Sequence, residues 1–255
     1  MRIALLSDVH GNRPALDAVL QDIDRRNDVD AVYHLGDLVG YGPFPNEVVS
    51  RVRDRSIMGV SGNYDSTVAN HYRNCGCRYE NAEQEMLSHR SYEWTLRHVT
   101  GDSVAFLSAL PFRIDLKTRG GHVAGPRLVL VHAHTSNNLI YVEESRSPEF
   151  LQKMAESAVL LPGDAIAFGH THKPWHRSVA DVHFVNTGSV GRPKDGDWRA
   201  GYALLDIGDE TVTVEFIRVE YDVDETASAI LQSDLPDEFA SFLRTGGAVA
   251  TTAHR

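Results

Sequence analysis

An α/β fold is predicted by three features of the chain. Short apolar runs recur along it, the early ones are separated by amphipathic helical patterns, and several stop at glycine, aspartate, asparagine or histidine. In sheets of this kind ligands bind just beyond the carboxyl ends of the strands. The residues that end the runs therefore carry the functional question.

Ile3 to Leu6 is the first run, and it ends in Ser7-Asp8. Within Pro14 to Arg26, Ala15, Leu16, Val19, Leu20 and Ile23 recur at helical spacing. Ala31 to Leu35 follows and ends in Gly36-Asp37, which completes a β-α-β unit. Val48, Val49 and Val52 mark a short helix over Asn46 to Arg53, and Ile57 to Val60 is a third strand that stops at Ser61-Gly62-Asn63-Tyr64-Asp65. Residues 66–99 turn polar and aromatic and read as a mostly helical excursion. Strand-like runs return at Ser103 to Leu107 and at Arg127 to Val131, the latter ending in His132-Ala133-His134. A helix over Pro148 to Glu156 leads to the strand Asp164 to Phe168, which ends in Gly169-His170-Thr171-His172. Val182 to Val185 is another strand, and Tyr202 to Ile207 with Val212 to Val219 form a hairpin about Gly208-Asp209. Short helices are expected over Asp224 to Leu231 and Pro236 to Leu243, with a frayed end from Gly246 to Arg255. The expected organisation is one domain over residues 1–219, with a helical and aromatic insert around 66–99, and a helical C-terminal extension with a frayed tail over 220–255.

A chain of 255 residues, 42% hydrophobic, can bury a large core without disulfides. No apolar stretch approaches the roughly 18 residues of a membrane span, and the first run is too short for a signal peptide, so a cytoplasmic protein is expected. Cys75 and Cys77 have a spacing that fits neither a redox Cys-x-x-Cys nor half of a zinc ribbon, and are expected to be reduced and free of metal. The net charge of -10 disfavours long nucleic acid as a partner, but it leaves open a metal site acting on a small phosphorylated ligand.

The strand ends collect seven side chains that can ligate metal: Asp8, His10, Asp37, Asn63, His132, His170 and His172. Any one alone reads as a turn cap or a hydrogen-bonded imidazole. Together, in order, they read as a metal site. Carboxylates with several imidazoles suit manganese, iron and zinc, with nickel and cobalt as further candidates, better than magnesium or calcium.

Asp8-Val9-His10-Gly11-Asn12, Gly36-Asp37-Leu38-Val39-Gly40, Gly62-Asn63-Tyr64-Asp65, Val131-His132, Gly169-His170-Thr171-His172 and Asn186-Thr187-Gly188-Ser189-Val190-Gly191 resemble, in that order, the motifs of the calcineurin-like metallophosphoesterase superfamily, and of its small bacterial and archaeal phosphodiesterase branch in particular. The resemblance covers roughly residues 1–207. It implies a sandwich of two central β-sheets flanked by helices, with two divalent or mixed-valence ions above the strand ends. It assigns Asp8, His10, Asp37 and His172 to one ion, and Asn63, His132 and His170 to the other, with Asp37 bridging. Ions so bridged lie about 3.5–4 Å apart. The implied reaction is attack on phosphorus by a hydroxide shared between them, most readily on a small phosphodiester. Alternatives are a phosphomonoesterase, a nucleotide polyphosphate hydrolase, or a regulatory protein that keeps the ions with weak catalysis.

Two departures from the family pattern concern proton delivery. Tyr64 stands where many relatives carry a histidine, and it is read either as a substrate contact or as packing. His134, two residues beyond His132, is the candidate replacement donor, with a solvent-facing loop imidazole as the alternative. The catalytic set so read is Asp37, Asn63, Tyr64 and His134, and the substrate-binding set is Asn12, Arg13, Gly188, Ser189 and Arg192. Asp65 is expected to orient its neighbours, and Gly40-Tyr41-Gly42-Pro43 to line a rigid loop near the mouth. Assembly into homo-oligomers through the aromatic insert is left open.

Overall fold

Strand β1 (Arg2–Leu6) shows how the chain layers itself. Its side chains alternate, so that Ile3 and Leu5 enter one apolar core while Ala4 and Leu6 enter another, and all four are fully buried. Helix α1 (Arg13–Arg25) carries Pro14 in its first turn and is capped by Asn12. It lays Leu16, Val19, Leu20 and Ile23 onto the Ala4 and Leu6 face. β2 (Ala31–His34), α2 (Pro45–Asp54), β3 (Met58–Gly59) and α3 (Asn63–Ala69) repeat the alternation. They are followed by α4 (Ala82–His98), α5 (Gly101–Ser108), β4 (Arg113–Gly120), β5 (Val123–Val131), α6 (Pro148–Ala158), β6 (Ala165–Phe168), β7 (Trp175–Val179), β8 (Val182–Asn186), β9 (Ala200–Ile207), β10 (Val212–Val219), α7 (Val223–Leu231) and α8 (Glu238–Arg244). This computed structural model describes residues 1–79, 81–120, 123–208 and 211–247.

The strands form two five-stranded mixed sheets, in the orders β10-β9-β1-β2-β3 and β4-β5-β6-β8-β7. Their inner faces meet in one apolar layer, in which Ile3, Leu5 and Leu35 of the first sheet pack with Leu128, Leu130, Ala167 and Val185 of the second. Helices α1 and α2 cover the outside of the first sheet, and α6 covers the second through Leu151 and Met154. The result is the two-sheet sandwich flanked by helices that the motifs imply. In the first sheet β1, β2 and β3 run parallel, and in the second β5, β6 and β8 do. The carboxyl ends of these strands open toward a common edge.

Several local expectations are corrected. Ser103 to Leu107 lies in helix α5, not in a strand, because Thr100 accepts from Ser103 N and starts a turn there. Strands β4 and β7 have no counterpart among the runs read from the sequence. β4 pairs only with β5 and β7 only with β8, so both lie at sheet edges; polar residues break the apolar pattern of β7, while in β4 Ile114 and Leu116 alternate with Arg113, Asp115 and Lys117 and form no continuous apolar run. The excursion over 66–99 is helical in α3 and α4, while residues 70–79 between them carry no regular element. Cys75 and Cys77 are joined as a disulfide, contrary to the expectation of free thiols; Cys75 is buried beside the hydroxyl of Tyr79, and the single intervening residue, Gly76, adopts a left-handed φ of 71° that lets the chain close on itself. The hairpin of β9 and β10 pairs antiparallel as expected, whereas Asp209 of its turn and residues 248–255 of the expected frayed tail lie outside the described residues. No helix among the described residues is long and apolar enough to cross a membrane.

Because Leu5 is fully buried between the sheets, Leu5→Ala should remove about 2–5 kcal/mol of stability. A urea titration followed by circular dichroism measures this, with an unchanged slope expected.

Candidate metal centre

Each ligand-capable side chain stands at the carboxyl end of a parallel strand or in the turn directly after it. Asp8 and His10 follow β1, Asp37 follows β2, Asn63 opens α3 after β3, His132 follows β5, and His170 and His172 follow β6. All seven are buried, with relative exposures between 0 and 4%. Asp8, His10, Asp37, His170 and His172 all hold left-handed backbone, with φ between 49° and 66°. That region is uncommon for residues with side chains and clusters at functional sites. Two glycines make room for the carboxylates: a Cβ at Gly62 would stand 2.1 Å from Asp37 Oδ1, and one at Gly169 would stand 2.3 Å from Asp8 Oδ2.

Hydrogen bonds fix which ring nitrogens face inward. Nδ1 of His10 donates to the Val39 carbonyl at 3.1 Å, Nδ1 of His132 to the Leu35 carbonyl at 2.8 Å, and Nδ1 of His172 to the Arg192 carbonyl at 2.6 Å. A carbonyl only accepts, so each Nδ1 carries the proton and each Nε2 presents a lone pair. These lone pairs converge. His10 Nε2 and His172 Nε2 are 3.2 Å apart, His132 Nε2 and His170 Nδ1 are 3.2 Å apart, and Asn63 Oδ1 is 3.1 Å from His132 Nε2.

Asp8, His10 and His172 form one group whose ligand atoms lie within 4.8 Å of one another, and Asp37, His132 and His170 form a second. Asp37 Oδ2 sits between them, 3.7 Å from His10 Nε2 and 3.6 Å from His132 Nε2, where one carboxylate reaches both groups. Asp8 Oδ1 and His170 Nε2 are buried without a hydrogen-bond partner. Neither carboxylate has a lysine or arginine within ion-pair distance among the described residues. A buried site that gathers acceptors and omits counter-cations fits a pair of metal ions.

The protonation equilibria follow the same geometry. Burial raises Asp37 most, with the negative Asp8 and Asp65 adding to it and His132 opposing, and its carboxyl is pushed up to about 8. Burial pulls His172 down to about 4, with the charge of Lys194 acting in the same direction. His10 and His170 lie well below the ordinary imidazole value, from burial and then from neighbouring imidazoles. For Asp8, burial acts upward but is outweighed by the field of His172 and the other imidazoles, and the group ends below the carboxylate range.

A pocket of about 360 Å³ opens over this edge and touches both groups, through His10 and His172 on one side and Asn63 and His170 on the other. Tyr64 lines it, fully buried, edge-on to the His10 ring at 5.5 Å between centroids and with its hydroxyl 3.2 Å from Ser88 Oγ of α4. Burial raises its phenol well above the ordinary value. Arg192 lines the same pocket. A wider groove of about 600 Å³ reaches the ligand set only at Asn63. Asn63 is turned into the site from behind: its Nδ2 donates to the Cys75 carbonyl at 3.1 Å and lies 3.5 Å from Cys77 Sγ.

The remaining candidates stand elsewhere. His134 lies outside the pocket, with Nδ1 2.9 Å from Ser136 Oγ and its ring against Phe150, because the chain turns after β5 and does not continue the strand. The Asn12 amide is committed inside the fold: it caps α1 at Ala15 N, donates to the Gly191 carbonyl and Tyr221, and accepts from Thr226. Arg13 pairs with Glu225 and stacks on Phe44. Gly188 packs toward Pro174, and Ser189 donates to the Asp8 carbonyl and accepts from Arg192 N, so both shape the backbone under the site and do not line the pocket. Asp65 accepts from Leu38 N and Gly62 N and holds the two turns that carry Asp37 and Asn63, as expected. Sequence reasoning missed Tyr141, Lys173, Lys194, Arg78 and the two phenylalanines of α8 that also line the pocket. Of these only Lys173, adjacent to His172, had a positional signal.

Comparison with known proteins agrees with this geometry. Residues 1–210 match the model of the calcineurin-like phosphoesterase superfamily domain, and the chain belongs to that superfamily. It is 30% identical over 250 residues to an uncharacterised protein of Methanocaldococcus jannaschii, covering 92% of this chain and 94% of that one. It is 25% identical over 216 residues to the phosphodiesterase YfcE of Escherichia coli, covering 81% and 88%. Among solved structures, a metallophosphoesterase from Sphaerobacter thermophilus superposes with a TM-score of 0.74 at 28% identity, covering 96% of this chain and 99% of that one. A hypothetical protein from Pyrococcus horikoshii shares the fold with a TM-score of 0.80 at 21% identity, covering 97% and 99%.

Metal binding should release protons below about pH 8, because an ion must displace the proton that burial places on Asp37. Apparent affinity for manganese should then fall about ten-fold per pH unit as pH drops from 8 toward 6. Calorimetry in buffers of different ionisation enthalpy measures the release, and Asp37→Asn should abolish its Asp37 share while weakening both ions. His134→Ala should leave metal content and turnover within about two-fold of the parent, since its imidazole faces away from the pocket.

Proposed function

We propose that this chain is a metal-dependent phosphoesterase that cleaves small phosphodiesters. The observation that carries the reading is Asp37 Oδ2, poised within 3.7 Å of ligands from both groups at the floor of one pocket. A pair of divalent transition ions held there supplies Lewis acidity to phosphoryl oxygens and makes water nucleophilic near neutral pH. The donor set of four imidazoles, two carboxylates and one amide favours manganese, iron or zinc. Hydrolysis breaks one P–O bond and adds the oxygen of water to phosphorus, and the departing oxygen leaves with the bonding electron pair and takes its proton from solvent.

The protein's own part is positioning. The Nδ1 bonds to Val39, Leu35 and Arg192 hold three imidazoles with Nε2 inward, and Asp65 holds the Asp37 and Asn63 turns together. Tyr64 is the only proposed proton donor that the fold leaves at the pocket, and its raised phenol donates a hydrogen bond better than a proton. The site is therefore suited to leaving groups that depart as anions. Space beyond both ligand groups supports a diester over a terminal phosphate alone, and the phosphodiesterase of Escherichia coli among the relatives supports the same choice. A second reading, hydrolysis of nucleotide polyphosphates, is favoured by the basic residues Arg78, Lys173, Arg192 and Lys194 around the pocket. The proposed organisation keeps residues 1–219 as the catalytic domain with α7 and α8 as an extension. A cytoplasmic setting belongs to the same proposal, in which cellular thiols would tend to open the Cys75–Cys77 bond.

Metal analysis and anomalous scattering should find two transition ions per chain, in contact with the seven ligands. With manganese supplied, bis(p-nitrophenyl) phosphate should be hydrolysed faster than p-nitrophenyl phosphate; the reverse order across metals and pH would replace the diesterase reading. Tyr64→Phe, at matched metal occupancy, should lose less than about ten-fold on activated diesters, since general acids contribute about 10²–10⁴. A collapse on every substrate would make the hydroxyl essential.

A further inference from the structure

Arg192 is the one arginine side chain that the fold buries at this pocket, and it is 8% exposed. Among the described residues it has no carboxylate within ion-pair distance. Aromatic rings hold it instead. Its guanidinium carbon lies 4.0 Å from the centroid of the Tyr41 ring and 3.9 Å from that of Phe242, with Phe239 at 5.5 Å. Stacking on ring faces fixes the plane of a guanidinium and offsets part of its desolvation, but it leaves the edge N–H donors unused. A buried cation of this kind costs free energy unless an anion meets it.

The rings also set its distance from the chemistry. Tyr41 packs edge-on against His10 at 5.0 Å between centroids, and Arg192 covers Tyr41. The guanidinium is therefore packed against a ring that itself borders a metal ligand. Lys173 and Lys194 line the same pocket, and among the described residues Glu238 is the only acid lining it other than the ligand Asp37. In a chain of net charge -10, this concentration of cations at a single pocket is selective.

From these observations we propose that Arg192, clamped between Tyr41 and Phe242, binds a second phosphate group of the substrate, separate from the phosphate that is cleaved. This rests on the phosphoesterase reading and adds a substrate class to it: compact esters with at least two phosphates. The planar fork matches phosphate oxygens in pairs, which an ammonium at the same point does not. Helix α8, through Phe239 and Phe242, is then the specificity element, because its two rings pack against the guanidinium.

The test compares two activated diesters, the p-nitrophenyl ester of thymidine 5′-phosphate and the same ester bearing a 3′-phosphate, with the full chain loaded with manganese to equal occupancy in every variant. The parent should prefer the 3′-phosphorylated ester at least ten-fold in kcat/KM. Arg192→Gln should bring the ratio of the two substrates to within two-fold, Arg192→Lys should keep an intermediate ratio, and Phe242→Leu should lower it several-fold. Calorimetry should show the same ten-fold preference for thymidine 3′,5′-bisphosphate over thymidine 5′-phosphate in the parent, and its loss in Arg192→Gln. A flat ratio in the parent, or a ratio that Arg192→Gln leaves intact, overturns the assignment while hydrolysis of either ester keeps the phosphodiesterase reading. If neither ester turns over with both ions bound, the phosphodiesterase reading falls, and the calorimetric ratio alone decides for or against Arg192.

Discussion

The structure is organised around an excess of buried lone pairs. Two carboxylates, four imidazoles and an amide oxygen converge at one sheet edge, and no lysine or arginine is paired with either carboxylate there among the described residues. Left to itself such a gathering is unfavourable for most of its charges: Asp37 is driven toward its neutral acid and His10, His170 and His172 toward neutral imidazole, while Asp8 and His132 shift, against burial, toward their charged forms in the field of neighbouring opposite charges. The two-sheet core provides the rigidity to hold it. Ile3, Leu5, Leu35, Leu128 and Leu130 lock β1, β2 and β5 in register only a few residues before Asp8, Asp37 and His132. The apolar layer and the polar site are therefore one construction, with the first setting the aim of the second.

Much of that construction is legible in the sequence because it is local. A ligand that follows a parallel strand within a few residues declares itself through an apolar run that stops at aspartate, asparagine or histidine, and all seven do so. The β-α-β unit is legible through the 3.6-residue spacing of Leu16, Val19, Leu20 and Ile23. What misleads is either pattern without context or context without pattern. Ser103 to Leu107 has the apolar content of a strand, but Thr100 caps it into a helix. Edge strand β7 carries polar residues that hide its period, whereas β4 alternates Ile114 and Leu116 with charged residues and is missed only because it forms no continuous apolar run. Extending β5 past its end would carry His134 to the same face as His132, but the chain has already turned there. Asn12 and Ser189 neighbour the motifs and so read as ligand contacts, yet each is used up by partners inside the fold, Gly191, Tyr221 and Thr226 for Asn12 and the Asp8 carbonyl for Ser189. The walls of the pocket are the least legible part, since Phe239 and Phe242 lie in a short C-terminal helix with no motif beside them.

Around the metal centre the insert and the C-terminal helices act as a frame. Trp94 of α4 packs with Ala227 and Ile230 of α7 and with Phe239 and Leu243 of α8, so the two segments outside the sandwich reinforce each other. Ser88 of the same α4 faces the hydroxyls of both Tyr41 and Tyr64 at 3.2 Å, and Ser91 receives Tyr41 N. These bonds tie two aromatic side chains of the pocket to α4.

The left-handed backbone of Asp8, His10, Asp37, His170 and His172 bears on how such a protein could lose its function. Residues with a side chain give up roughly 1–2 kcal/mol to stand in that region, with aspartate nearer the low end and glycine exempt. Glycine at any of these five positions would thus relieve local strain at the same time as it removed a ligand. Selection for folding alone would push toward that exchange, so a chain freed from metal chemistry would drift toward glycines at its strand ends. This chain holds a charged or imidazole side chain at each of the five, against the preference of its own backbone.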